Sequence, residues 1–117
     1  MQIKLKISII NDQGFHVIGP GPVRLLEKIG EHQSINQAAG SMALSYVKAL
    51  KMLNFLETNL GRPMVIRTRG GNDHGGSRLT PFAEMYIRRF RELEEKIYHY
   101  AEREYDRFEA RLRKSKE

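Results

Sequence analysis

Residues 34–60 read SINQAAGSMALSYVKALKMLNFLETNL and are followed, over residues 61–82, by GRPMVIRTRGGNDHGGSRLTPF. Ser34-Ile35-Asn36-Gln37 has the form of a capping box, in which the Ser34 hydroxyl accepts from the Gln37 amide and the Gln37 side chain reaches back. The helix it opens is short, with Ala38 and Ala39 small enough for another helix to approach closely, and Gly40-Ser41-Met42-Ala43 makes the turn. Ser45 then caps a longer helix to about Asn59, closed by Gly61 and Pro63. Steps of about 100° per residue place Tyr46, Ala49, Leu50, Leu53, Leu56 and Leu60 on one face and Lys48, Lys51, Met52, Phe55 and Asn59 on the other. The first stripe is a core stripe. The second sets two lysines among apolar residues, more than a solvated face requires.

Downstream, Met64–Arg69 is rich in β-branched residues and lies between Pro63 and Gly70-Gly71, so it reads as a strand. GGNDHGGS, residues 70–77, has four glycines in eight residues and makes an exposed tip. Arg78-Leu79-Thr80 is the return strand. Thr80-Pro81 then starts a helix with a capping hydroxyl and a proline in its first position. No Gly or Pro occurs after Pro81, so this helix runs to about Lys114 and spans roughly 50 Å. Its apolar positions, Tyr86, Phe90, Leu93, Ile97, Ala101, Tyr105, Phe108 and Leu112, recur every three or four residues, with Tyr100 beside Ala101 marking a stutter. Such a seam faces another helix, and the simplest partner is the same helix of a second chain.

Upstream, Leu25, Leu26 and Ile29 fall at helical spacing in a helix expected over Pro22–His32. The opening MQIKLKISII alternates Ile3, Leu5, Ile7 and Ile9 with Gln2, Lys4, Lys6 and Ser8, which is strand period. Asn11–Gly14 turns it into a short return strand, Phe15–Ile18.

The chain has 117 residues, no Cys and no Trp, with 20 Lys+Arg against 14 Asp+Glu. That length makes one domain and needs neither disulfide nor structural metal. The absence of Cys excludes thiolate metal sites and thiol catalysis, and it fits a cytoplasmic location. No apolar run has the length of a membrane span. The net charge of +6 suggests an acidic partner such as nucleic acid. The excess lies in residues 1–80, where ten basic face five acidic side chains; residues 81–117 carry ten and nine.

A helix, a capped short helix, a tight turn, a longer helix and a glycine-tipped hairpin follow one another in the order of a winged helix-turn-helix, in which the second helix of the motif enters the major groove of DNA. The expected fold is mainly α with a small β component: a winged helix-turn-helix over residues 1–80, including the amino-terminal ribbon, and a long dimerisation helix over 81–117. The expected DNA contacts are Asn36 and Gln37 on the first helix of the motif and Ser45, Tyr46, Lys48, Lys51 and Met52 on the second. On the wing they are Arg67, Arg69, Gly71, Asn72, His74, Ser77 and Arg78.

The strings VRLLEKIGEHQSINQAAGSMALSYVKAL, LGRPMVIRTRGG and GGSRLTPFAEMYIRRF together resemble the DNA-binding domain of the ModE molybdate-responsive regulators, which is related to the LysR-type amino-terminal domain. The resemblance implies that Ser45, Tyr46 and Lys48 belong to a recognition helix that reads duplex DNA, that Gly70–Ser77 form the wing, and that the helix after Thr80 dimerises. The chain departs from the family at Val47, where a basic residue is usual, at Leu50, where Trp is usual, and at Asn72-Asp73-His74 in the wing. Regulators of this family carry a carboxy-terminal oxyanion-binding region, whereas this sequence ends in a helix, so no molybdate site is expected in it and no cofactor is implied.

Other chemistries are poorly served. GGNDHGGS lacks the GK[ST] ending of a phosphate-binding loop and issues from a hairpin rather than a strand-to-helix turn. His16, His32, His74 and His99 have no metal-ligand spacing. No Ser/His/acid set offers catalysis, and an enzyme is not expected. The expected function is that of a homodimeric transcriptional regulator binding an inverted-repeat duplex site. The alternative is a winged-helix protein-interaction module that no longer reads DNA, a reading that Val47, Leu50, Asp73 and Phe55 favour.

Overall fold

The computed structural model describes residues 1–68 and 76–115. Its elements are β1 (Ile9–Ile10), β2 (His16–Ile18), α1 (Pro20–His32), α2 (Ile35–Ser41), α3 (Tyr46–Leu60), β3 (Val65–Arg67), β4 (Ser77–Leu79) and α4 (Pro81–Lys114). The fold is mainly helical, with two separate antiparallel pairs, β1–β2 and β3–β4. It is a winged helix-turn-helix followed by a long carboxy-terminal helix.

Helix α1 starts two residues before the expected Pro22, because extended Gly19 precedes it and Pro20 fills its first position. Pro22 still lies in the first turn, where a missing amide costs nothing. At the other end Gln33 adopts left-handed φ 55° and its amide bonds to Ile29 O. That bend turns its own carbonyl toward the wing, where it accepts from the Ser77 amide at 3.0 Å.

Between α2 and α3 the amides of Met42 and Leu44 both bond to Ala39 O, and the Ala43 amide bonds to Gly40 O. The chain reverses here through Ala43 at φ 56°, a left-handed conformation that disfavours a side chain. Helix α3 closes on Gly61 at φ 68°, where glycine avoids that cost. Glu57 in its last turn then accepts from the Met64 amide at 2.6 Å and fixes the approach to β3.

The core lies where three helices and the wing base converge. Val23, Leu25, Leu26 and Ile29 of α1 meet Ile35, Ala38 and Ala39 of α2, Ala49, Leu53 and Leu56 of α3, and Met64, Ala83 and Phe90 beyond. The close packing extends to Gly30 on α1, where a Cβ would stand 2.9 Å from Leu79 Cδ1. Thr80 joins wing and long helix: its hydroxyl donates to Pro63 O at 2.9 Å and accepts from the Ala83 amide at 3.1 Å, while its own amide bonds to Met64 O at 3.0 Å.

The amino-terminal ribbon is shorter than its alternation suggests. Only Ile9 and Ile10 pair with β2, with an irregular register, and residues 1–8 lie in no strand. The return strand is stopped by Gly19, which lies against Ile7 and Ser8, and by the start of α1, so no strand continues opposite the first residues. Instead they run beside α4, where the Tyr98 hydroxyl donates to Ile3 O at 3.2 Å.

Helix α4 forms over the residues expected, and its 34 residues carry it far past the core. The largest dimension is 72 Å against 29 and 25 Å, and the radius of gyration is 18.6 Å. A compact domain of this length has a radius of about 13 Å. Arg91 ties α4 to α1: its Nε donates to Glu27 at 3.1 Å and its Nη1 to Glu94 at 2.6 Å. The hydrogen bond to Glu27 raises the Arg91 pKa above the ordinary arginine value; partial burial opposes the rise and the bond to Glu94 adds to it.

Candidate nucleic-acid interface

Three elements converge on one face. Ser34 caps α2 by accepting from the Gln37 amide at 3.1 Å, while the reciprocal bond from the Gln37 side chain is not made, so Asn36 and Gln37 stand exposed. Ser45 caps α3 by accepting from the Lys48 amide at 3.1 Å. A helix that starts this way presents its first-turn amides and positive dipole end outward, the arrangement that favours a phosphate.

Lys48 and Lys51 are exposed on the outer side of α3, and among the described residues neither forms an ion pair. Lys51 lines an open groove with Asn11, Gln13 and Phe15 of the ribbon, whereas a separate open cleft of about 400 Å³ lies between α2, the start of α3 and the wing. Asn36 of α2, Tyr46 of α3 and Arg67 of β3 line it, with Ser34 and Thr68 at its margins. Exposed Arg67 and Arg78 sit in the paired base of the wing, opposite Ser77 and Ile66 respectively. The acidic flank of α4 takes neither arginine: no described carboxylate lies in ion-pair contact with them.

Other expected residues lie elsewhere. Tyr46 is 43% exposed at the cleft rather than in the core stripe of α3, whose buried members are Ala49, Leu53 and Leu56. Met52 is half-buried and packs toward the start of α1, its methyl group 3.7 Å from where a Cβ on Gly21 would stand. That orientation turns it away from the exposed lysine face. Ser77 lines the cleft with Asn36, Tyr46 and Arg67 but is buried, and its amide bonds to Gln33 O. Arg69, Gly71, Asn72 and His74 lie outside the described residues.

The residue reading passed over Thr68, and it set Phe55 on the outer face of α3 only in favour of the protein-interaction alternative. Thr68 at the cleft margin donates its hydroxyl to Gly76 O at 3.1 Å, holding the two wing strands together. Phe55 is exposed further along α3 and packs edge-on against Phe15 of the ribbon, with ring centroids 6.3 Å apart. Thr68 carries no sequence signal, since a lone Thr after a strand becomes meaningful only when the opposing strand is in place, and the helical pattern that exposes Phe55 does not show its contact with Phe15.

The expected seam of α4 divides in two. Phe90 is buried and Tyr86 is half-buried, and both close the domain's own core; burial raises the Tyr86 pKa. Beyond them Leu93 and Ile97 are exposed, and Phe108 and Leu112 are 57% and 58% exposed, while Ala101 and Tyr105 are half-covered. The described residues contain no cluster of His, Asp or Glu suited to a metal ion.

A capped helix pair meeting at a tight left-handed turn, its second helix exposing lysines and followed by a basic two-stranded hairpin, defines a winged helix-turn-helix protein. Residues 22–84 match the family described as bacterial regulatory helix-turn-helix protein, lysR family, and the chain belongs to that family. It is a family of regulators rather than of enzymes. The transcriptional regulator ModE of Haemophilus influenzae is 39% identical over 77 residues, which are 66% of this chain and 30% of that protein. The molybdenum transport protein ModE of Azotobacter vinelandii is 36% identical over 72 residues, 62% of this chain and 27% of that protein. The chain thus spans less than a third of the length of these curated relatives.

Among solved structures, a CbnR_DBD-DNA complex superposes with a TM-score of 0.54 at 21% identity, covering 79% of this chain and 95% of that one. Vibrio fischeri DarR in complex with DNA gives 0.56 at 17% identity, covering 76% and 29%. These likenesses establish the fold. No described helix is long and apolar enough to cross a membrane.

Proposed function

We propose that this chain binds duplex DNA sequence-specifically, as a homodimer on an inverted repeat, and acts in transcriptional regulation. Residues 1–80 are the DNA-binding unit and 81–117 the dimerisation helix. The carrying observation is the cleft in which Asn36 of α2, Tyr46 at the start of α3 and Arg67 of the wing meet, with Lys48 and Lys51 exposed further along the same helix. The major groove admits one helix, and in this reading α3 enters it with the wing along the neighbouring backbone. Membership of a family of regulatory helix-turn-helix proteins supports the reading, as do DNA-bound structures of the same fold.

The work divides by chemistry. Lys48, Lys51, Arg67, Arg78 and the capped start of α3 hold phosphates, which gives affinity without sequence choice. Asn36, Gln37, Ser45 and Tyr46 offer hydrogen-bonding groups short enough to read base edges. Leu93, Ile97, Phe108 and Leu112 of α4 pair the two protomers. The exposed Val47 and Phe55 beside these lysines suit a partner protein better than a phosphate, and they favour the protein-interaction reading.

The test is the salt dependence of binding to a labelled duplex, read by anisotropy from about 50 to 200 mM salt. A phosphate-contacting Lys51 gives a Lys51→Ala variant with weaker binding and a log–log salt slope flatter by about 0.9. Equal affinity and slope for the two chains would contradict the proposed contact.

A further inference from the structure

Residues 1–8 carry strand alternation yet have no strand to pair with. Outside the β1–β2 ladder, one hydrogen bond touches their backbone among the described residues, that from Tyr98 to Ile3 O. Ile3 and Ile7 are half-buried, while Lys4, Leu5 and Lys6 are exposed. A free extended edge with an apolar residue between two lysines is a surface that recruits a partner.

The surroundings say which partner. Neither lysine forms an ion pair among the described residues, although α4 runs alongside and carries seven Asp/Glu against three Lys/Arg between Glu92 and Glu109. Steps of about 100° put Leu93, Ile97, Phe108 and Leu112 on one side of α4, and Tyr98, Glu102 and Tyr105, beside residues 1–8, about a quarter-turn away. A second α4 laid on the first face therefore lies next to Lys4, Leu5 and Lys6. Its acidic middle complements the two lysines, and its exposed apolar stripe complements Leu5.

We infer that residues 2–8 form a second strip of the dimer interface, with Lys4, Leu5 and Lys6 seated on the acidic middle of α4 in a second copy of this chain. The inference rests on the proposed α4-paired dimer and adds a contact that this pairing alone does not require. In it each amino-terminal segment bridges two α4 helices: its own, along which Ile3, Leu5 and Ile7 lie, and its partner's, which Lys4 and Lys6 reach and which covers the open groove lined by Leu5, Ile7, Arg91, Glu94, Glu95 and Tyr98.

The test places a photoreactive p-benzoylphenylalanine at Leu5 of the unlabelled full chain, mixed with ¹⁵N-labelled chain without the probe. The mixture is irradiated and its cross-linked peptides are weighed, with the assembly state read by sedimentation equilibrium. Cross-links from residue 5 to ¹⁵N-labelled peptides of α4 are expected. A dimer whose cross-links stay within one chain would overturn the inference and leave the α4 pairing intact, whereas a monomer at every concentration would remove both.

A charge-reversed Lys4→Glu/Lys6→Glu chain gives the second measurement, since these exposed residues lie outside the core. Its dimer dissociation constant is expected to rise by about tenfold while its helical content stays that of the unaltered chain. An unchanged constant would overturn the inference.

Discussion

Ala43 sits at φ 56° where the chain turns between α2 and α3, in a conformation that costs a residue with a Cβ about 1–2 kcal/mol. Ala43→Gly is therefore expected to stabilise the fold by up to about 1 kcal/mol, after the extra entropy of glycine in the unfolded chain is deducted. Urea unfolding checks it, and a lower midpoint would show that the methyl group packs usefully. Thr80 carries the opposite sign. Its hydroxyl both caps α4 and donates to Pro63 O inside the domain, so Thr80→Val leaves two groups without their partner. A loss of about 1–3 kcal/mol is expected in the same unfolding experiment. The caps at Ser34, Ser45 and Thr80 were all legible, because each stands immediately before a helical pattern. Met52 was not: its contact with the start of α1 joins residues far apart in sequence, and a helical wheel carries no tertiary direction.

Helices were legible to within a residue or two at most ends, since Pro22, Gly61 and the Thr80-Pro81 pair each act through a local backbone preference, although α1 begins at Pro20. The amino-terminal strand was not, because alternation records an extended chain with two unlike faces and not a neighbour to bond with. At α4, the bond of Arg91 to Glu27 is the long-range ionic tie that fixes the angle at which this helix leaves the domain. Both side chains remain over a third exposed, so Arg91→Met is expected to change global stability by less than about 1 kcal/mol. Its larger effect falls on the spacing of two DNA-binding units, seen as lower affinity for an inverted repeat and unchanged affinity for a single half-site. Equal losses on both would place Arg91 in the support of the domain rather than in its aim.

The whole molecule divides into a head that builds the core and a shaft that leaves it. Phe90 marks the boundary: it is 4% exposed, whereas Leu112, about six turns further along α4, is 58% exposed. Sequence periodicity runs unbroken through that boundary, because packing on one's own core and packing on a second helix call for the same spacing of apolar residues. Only the structure separates Tyr86 and Phe90 from Leu93, Ile97, Phe108 and Leu112. The separation predicts different losses. Phe90→Ala is expected to destabilise the head by about 3–5 kcal/mol, whereas Leu112→Asp leaves the head folded and shifts sedimentation equilibrium toward monomer. Dimers of unchanged affinity in the second variant would contradict the assignment of α4.

The central claim is that the face formed by α2, α3 and the wing reads a DNA sequence twice, once in each protomer. Selection of bound duplexes from a random-sequence pool, with the purified chain at near-physiological salt, tests it most directly. The account requires enrichment of an inverted repeat with a fixed distance between half-sites. Retention of duplexes without enrichment would contradict sequence reading, and no retention at all would assign the face to a protein partner instead.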